Sequence, residues 1–428
     1  MVSFCKRAVM SVAVILLSRT AGAAVTVPAA DTGDTAWMLA ASLLVLMMTV
    51  PGVALFYGGM VRRKNVLATV MHSYAITCLG AIIWMTAGYS LAFSGDGALI
   101  GNLSRLLLAG TTPGSLTGTI PESVFIVFQM TFAIIAGALI TGAVAERMKF
   151  SAILAFVGLW LLGVYVPIAH WVWGGGFLGG AGVLDFAGGT VVHINAGVAG
   201  LVAARIVGPR IGFGRENLAP HNLVLTVTGG ALLWAGWFGF NAGSALSAGA
   251  AAGMAMLVTQ IAAAAGGLAW MSAEWMVHEK PSVLGIVSGT IAGLVAITPA
   301  AGYVGPGAAL VIGLAAGLAS LWGVAWLKPR LGLDDSLDVF AVHGVAGIVG
   351  ALLTGLLASA AVGGTAGALE GNWPQLGRQA YGVLVTVLYS AAASWVLLKL
   401  IDRLIGLRVS GEAEREGLDV SAHGESLN

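Results

Sequence analysis

Residues 185–200 read DFAGGTVVHINAGVAG, and residues 335–350 read DSLDVFAVHGVAGIVG. In each stretch an Asp stands eight residues before a His, Asp185 before His193 and Asp335 before His343, and small or branched apolar residues follow. A chain with seven histidines thus sets two of them in matching apolar contexts 150 residues apart. A lone His in an apolar helix ordinarily packs as a core residue. Two at matched positions read as lining a shared cavity, because ionisable groups inside membrane spans are costly and mark pathways.

The context is a membrane. Hydrophobic residues make up 58% of the chain and charged residues 9%, with a mean hydropathy of +0.92, a balance no soluble domain could cover with water-facing surface. Apolar runs of about 20 residues, enough to cross a hydrocarbon core of about 30 Å, recur along nearly the whole sequence. The 63 glycines suit close helix packing in lipid. The net charge of +1 identifies no partner.

The first 23 residues read differently. Lys6 and Arg7, a short apolar run and then Ala21-Gly22-Ala23 resemble a secretory signal peptide cleaved near Ala23. Cleavage would remove Cys5 and leave Cys78 alone, so an intrachain disulfide and a cysteine-based metal site are not expected.

Breaks between apolar runs predict eleven helices, near 35–60, 66–94, 121–146, 150–171, 187–208, 221–242, 252–276, 282–299, 304–327, 338–361 and 377–404. With the N-terminus outside, the outer loops carry only Arg105 and Arg378. The other basic residues beyond the signal peptide fall on inner loops or the tail, as positive charges prefer. His193 then lies in the fifth helix and His343 in the tenth. The reading is an all-α polytopic protein with two five-helix repeats, about 35–208 and 221–361, plus an eleventh helix, about 377–404. A tail, 408–428, follows the domain of residues 24–407. Because five is odd, the second repeat runs with opposite topology, which places a substrate route at the repeat interface near the midplane. FYGG at 56–59 and FNAG at 240–243, ending the first and sixth helices, echo the repeat.

Asp185 precedes the fifth helix, where a carboxylate can accept bonds from unpaired backbone N–H groups; a scaffold role is favoured over direct proton transfer. Asp335 or Asp338 could serve the tenth helix similarly. The remaining histidines lie at span ends or in loops and receive no pore role.

The stretches PGVALFYGGMVRRKNVL, FQMTF, AERMKF, HWVWGGG, LDFAGGTVVHINAG, GWFGFNAGS, DVFAVHGVAGIVG and EREGLDVSAHGE resemble, in order and over essentially the whole mature chain, the Amt branch of the Amt/Mep/Rh ammonium channels. The resemblance implies a pore lined by His193, His343 and Trp237, and an outer cation site made by Phe132, Trp173 and Ser244. It implies a gate of stacked Phe132 and Phe240. It also implies a homotrimer in the bacterial inner membrane, multi-pass, with a cytoplasmic tail that helps a PII-type signalling protein seat over the pore exits. In that tail Arg415, Glu416, Gly417, Leu418 and Asp419 match the family pattern; Leu418 and Val420 are expected to anchor it, and Arg415 and Glu416 to pair with the basic loop at 205–215 or with the partner. Ammonium uptake without a cofactor, an enzyme activity or a nucleic-acid partner is the expected function. An ammonium sensor with little flux and an Rh-like NH3/CO2 gas channel are the alternatives. Histidine-bound zinc is disfavoured because no intramembrane carboxylate or cysteine joins the pair.

Overall fold

The computed structural model describes residues 30–427, so the proposed signal peptide and its cleavage site lie outside the described residues. Among the described residues, ten helical stretches are long and apolar enough to cross a membrane: α1 (Thr32–Met60), α2 (Arg63–Phe93), α3 (Glu122–Val144), α4 (Phe150–Gly180), α5 (Gly189–Val207), α6 (Leu223–Gly243), α7 (Ala250–His278), α9 (Pro306–Arg330), α10 (Phe340–Leu357) and α11 (Trp373–Ile405). Between α7 and α9 stands α8 (Val283–Ile297), a shorter apolar helix at the place of the eighth expected span. Two short helices, α12 (Gly411–Glu416) and α13 (Leu418–His423), form the tail. The strand content among the described residues is one two-stranded hairpin, Leu116–Thr117 with Ile120–Pro121, in the loop before α3.

The start of α1 and the tail lie on opposite faces. At the start of α1, Asp31 N donates to Thr119 O at 2.9 Å and Asp34 Oδ1 accepts from Ala248 N at 2.8 Å, which ties this end to the loops after α2 and α6. We call that side the vestibule face. The tail instead packs on the start of α2 and on the loops after α3 and α5, on the tail face.

The crossing of α5 and α10 sets the middle of the molecule. A Cβ at Gly197 would stand 2.4 Å from Gly344 N and 2.5 Å from Gly344 Cα, so only glycine lets the two backbones touch one turn beyond His193. Both histidines sit in one-turn π-helical segments, Gly189–Ile194 and Phe340–Val345, that open α5 and α10. Such segments interrupt the regular ladder and are frequent at functional positions. Here they re-aim the side chain just before the close crossing.

On the tail face, charges taken out of water are paired. Glu146 bonds Arg62 at 2.8 Å and Arg210 at 3.3 Å, and Arg210 also grips Asp334 through Nε (2.9 Å) and Nη2 (2.8 Å). Burial alone would push the Glu146 and Asp334 carboxyls up. The arginines outweigh it and hold both below the ordinary carboxylate value. The stabilisation they give is therefore present at neutral pH and is lost on acidification through those lowered values. Arg147, fully buried, spends its donors on Gly208 O, Ala143 O, Ala145 O, Asp334 O and Ser336 Oγ, joining the loops after α3, α5 and α9.

Candidate functional site

A vestibule of about 340 Å³ opens on one face, lined by Phe125, Gln129, Phe132, Trp173, Phe186 and Ser244 among others. Its floor is a pair of rings: Phe132 and Phe240 stack with centroids 4.1 Å apart and planes at 21°. Trp173 stands edge-on to Phe132 at 6.0 Å and 85°. Ser244 Oγ donates to Phe240 O at 2.8 Å, so its proton is committed within the helix and its lone pairs are free to accept from a guest N–H.

Asp185 explains why Trp173 points there. Its backbone carbonyl accepts from Trp173 Nε1 at 2.8 Å, while its carboxylate accepts from Gly188 N, Thr190 N and Val191 N, each at 2.9 Å. One residue thus caps the start of α5 and fixes the vestibule tryptophan. At the tenth helix the corresponding cap is Asp335, whose Oδ2 accepts from Phe340 N at 2.7 Å. Asp338 adopts a left-handed backbone, φ 59°, and pairs with Lys328. The choice sequence left open between Asp335 and Asp338 therefore falls on Asp335.

Below the stacked rings lies a narrow cavity of about 10 Å³ lined by apolar side chains from α1, α3, α6 and α8, with Trp237, His193 and His343. His343 Nδ1 faces His193 Nδ1 at 3.3 Å, with rings 5.3 Å apart and 18° from coplanar. Trp237 stacks on His193 at 5.3 Å and 22° and is held by its Nε1 bond to Thr298 Oγ1 at 2.9 Å. An Nδ1-to-Nδ1 hydrogen bond has a strict consequence. One ring must donate and the other accept, so the two outward Nε2 atoms are one acceptor and one donor while the pair is neutral. His193 Nε2 is buried with no partner among the described residues. Among the described residues no group of three or more His, Cys, Asp or Glu side chains could hold a metal ion.

Sequence reasoning missed two members of this arrangement. Gln129 lines the vestibule three residues before Phe132, so it shares that helical face, and a polar residue in the apolar stretch FQMTF was the available clue. Thr298, which orients Trp237, follows α8 and carried no local clue.

The chain matches the model of the Ammonium Transporter Family over residues 36–427. The chain belongs to the ammonium transporter family. It is 48% identical over 399 residues to an ammonium transporter of Bacillus subtilis (strain 168), covering 92% of this chain and 98% of that protein. To an ammonium transporter of Aquifex aeolicus (strain VF5) it is 51% identical over 397 residues, covering 92% and 93%. Among solved structures, Mep2 of Saccharomyces cerevisiae superposes with a TM-score of 0.84 at 35% identity, covering 90% of this chain and 89% of that one. A structure described as a sensor Amt protein superposes at 0.85 with 30% identity, covering 91% and 98%. Ammonium transport by a multi-pass membrane protein is therefore the function of the family to which this transporter belongs, and the Bacillus subtilis and Aquifex aeolicus relatives are ammonium transporters.

The tail corrects several expectations for this transporter. Leu418 is buried and its N–H donates to Asn65 Oδ1 at 2.8 Å, and Asp419 Oδ1 accepts from Ala68 N at 2.8 Å. Val420, expected as a second anchor, is 47% exposed and anchors nothing. Arg415 and Glu416 form no ion pair with residues 205–215. The contact to that loop is made by Glu414, whose Oε1 accepts from Ile211 N at 2.6 Å while Oε2 pairs with Arg408 at 2.8 Å. Arg415 contributes its carbonyl, which accepts from Lys64 Nζ. Gly417, with φ 114°, turns the chain between α12 and α13 and lies against Lys64.

Proposed function

We propose that this transporter takes up ammonium across the inner membrane as a homotrimer, with the N-terminus outside, the tail in the cytoplasm and a PII-type protein regulating it from the tail face. The single observation that carries the pore assignment is the stack of Phe132 and Phe240 directly above a lumen whose polar side-chain groups include the facing imidazoles of His193 and His343. Trp173 and Phe132 attract a small cation through their π faces, and Ser244 accepts one of its N–H bonds. Beyond the rings an apolar lumen opposes any fixed charge. Potassium cannot shed its charge and finds no ring of oxygen ligands. Ammonium can release its proton and enter as ammonia, which then meets one donor and one acceptor nitrogen at the histidine pair. Asp185 serves in this scheme as the support for Trp173 and the α5 cap.

Proteoliposomes holding the purified transporter test this by current and nitrogen uptake on addition of ammonium, methylammonium or potassium. Uptake of the first two and exclusion of the third is the expected result; a protein that binds ammonium without flux would instead support a sensor, the reading favoured by its likeness to the sensor Amt structure. In the same assay Trp173→Leu keeps bulk but removes the strongest π face, so half-saturation should shift upward about 2- to 30-fold. An unchanged concentration dependence would return Trp173 to a packing role.

The tail makes a separate prediction. Deleting residues 409–428 removes Glu414, Leu418 and Asp419, the groups that tie it to the start of α2 and the loop after α5. Transport should fall or lose its regulation, and binding of a PII-type protein should weaken, while membrane insertion and trimer assembly persist. Equal flux and equal PII affinity for truncated and full-length transporter would remove the regulatory role.

A further inference from the structure

His170 is fully buried in α4, one turn before Trp173, and lines neither the vestibule nor the lumen below it. Its Nδ1 lies 2.9 Å from Ala92 O in the last turn of α2, and its Nε2 lies against Gly97 O in the loop after α2. Both partners are backbone carbonyls, which can only accept. A neutral imidazole has one N–H, so it satisfies one of these oxygens and sets a lone pair against the other; a ring protonated on both nitrogens satisfies both. Two helix ends also converge here. Ala92 belongs to the last turn of α2, and the regular turns of α4 that hold His170 stop at Gly174, so the carbonyl ends of both favour positive charge on the ring. Gly174 permits the convergence, because a Cβ there would stand 1.9 Å from Ala92 O and 2.7 Å from His170 Nδ1.

We propose that His170 is a doubly protonated strut and a positioning residue of the outer cation site, holding Trp173 in place against the wall that α2 supplies. The bonds around it show how. Three successive carbonyls of the loop after α2 are taken by this end of α4: Gly97 O by the His170 ring, Ala98 O by Phe177 N at 3.1 Å, and Leu99 O by Trp171 Nε1 at 2.7 Å. Within α4, His170 O accepts from Gly174 N and Gly176 N, both at 3.0 Å, which closes the turn that carries Trp173. Phe93, next to Ala92, and Trp173, three residues after His170, both line the vestibule, so the Ala92–His170 bond fixes their spacing. The other ionisable groups on the surrounding elements are Tyr89 of α2, Asp96 and Arg105 of the loop, Glu122 of α3, Tyr165 of α4 and Asp185 before α5. Tyr89 and Arg105 both bond Glu122, Asp96 is exposed, Asp185 caps α5, and none of the salt bridges among the described residues involves His170. The charge on the ring is therefore met by carbonyl oxygens, and loss of one proton turns one of the two bonds into a repulsion.

The transport consequence rests on the proposed outer cation site; the protonation of the ring does not, so the two are measured apart. Full-length transporter carrying isotope-labelled histidine is reconstituted in proteoliposomes, and ring-nitrogen NMR spectra are recorded as pH is raised, the His170 signals being those lost in His170→Gln. At neutral pH both His170 nitrogens should carry protons. In the same vesicles half-saturation for methylammonium, which stays protonated to higher pH than ammonium, should rise about 3- to 10-fold over the pH range in which the His170 signals change, because a loosened Trp173 gives up part of its cation–π contact. His170→Gln offers an amide N–H to a carbonyl but cannot gain or lose a proton. It should show raised half-saturation at neutral pH and no step with pH. If that variant does not fold, the wild-type signals are identified through their proximity to labelled alanine carbonyls, and the wild-type pH profile carries the comparison. A ring with one proton at neutral pH overturns the proposal whatever the flux, and so does a half-saturation that ignores the titration of the ring. An unchanged concentration dependence in Trp173→Leu would instead defeat the outer site, and the positioning role with it, while the ring signals still report whether the strut is charged.

Discussion

His193→Ala should fold and insert yet lose discrimination, with the ammonium-to-potassium flux ratio falling by about tenfold or more, the equivalent of about 1.4 kcal/mol of selectivity. The ring removed is central. It stacks on Trp237, faces His343 Nδ1 at 3.3 Å and presents a buried Nε2 to the lumen. Its loss leaves His343 without a partner and widens a cavity of about 10 Å³ enough to admit water. Water lowers the cost of a charge that an apolar lumen would exclude, so potassium current should rise as ammonia-specific flux falls. His343→Ala should do the same from the other side. The measurement is paired current and uptake in proteoliposomes across pH. Wild-type rate, pH profile and potassium exclusion in both single variants would remove the histidines from the conduction path.

The other large effect belongs to Asp185. Its carboxylate satisfies three backbone N–H groups at the start of α5, and its carbonyl holds Trp173. Asp185→Ala leaves those buried donors unmet, a loss of about 2–4 kcal/mol for bonds to a charged acceptor. The start of α5 carries His193, and the Asp185 carbonyl carries Trp173. The same substitution should therefore lower the melting temperature and raise half-saturation for ammonium together. Asp185→Asn keeps an oxygen acceptor without the charge and should fall between wild type and Ala in both readouts. A variant with wild-type melting and impaired transport would instead place Asp185 in proton transfer.

The spans were legible before any coordinates. Hydropathy is a property of contiguous residues, so runs such as 121–146 and 221–242 declare themselves, and most ends fall within a few residues of the helices found. The matched spacing of Asp185 to His193 and Asp335 to His343 was legible for the same reason. Contacts between distant segments were less so. Nothing beside Trp237 announces Thr298, which is 61 residues away and reaches it only because α6 and the end of α8 meet. In the tail, the resemblance of EREGLDV to the family pattern pointed to Leu418 and Val420 as anchors and to Arg415 and Glu416 as the charged contacts. The start of α2 and the loop after α5 have groups placed for Leu418 N, Asp419 and Glu414, while Val420 stays exposed.

Local hydropathy and spacing were enough to specify a polytopic helical protein, the approximate limits of its spans, and two histidines at matching places in α5 and α10, because bilayer thickness and the cost of burying polar groups act on each stretch separately. It took the packing of distant helices to bring those histidines Nδ1 to Nδ1 beneath two stacked phenylalanines and to make Asp335, not Asp338, the cap of α10. Each depends on how closely helices far apart in the chain approach. That distance is set where a Cβ is missing, as at Gly197 against Gly344, and by packing that local hydropathy does not encode.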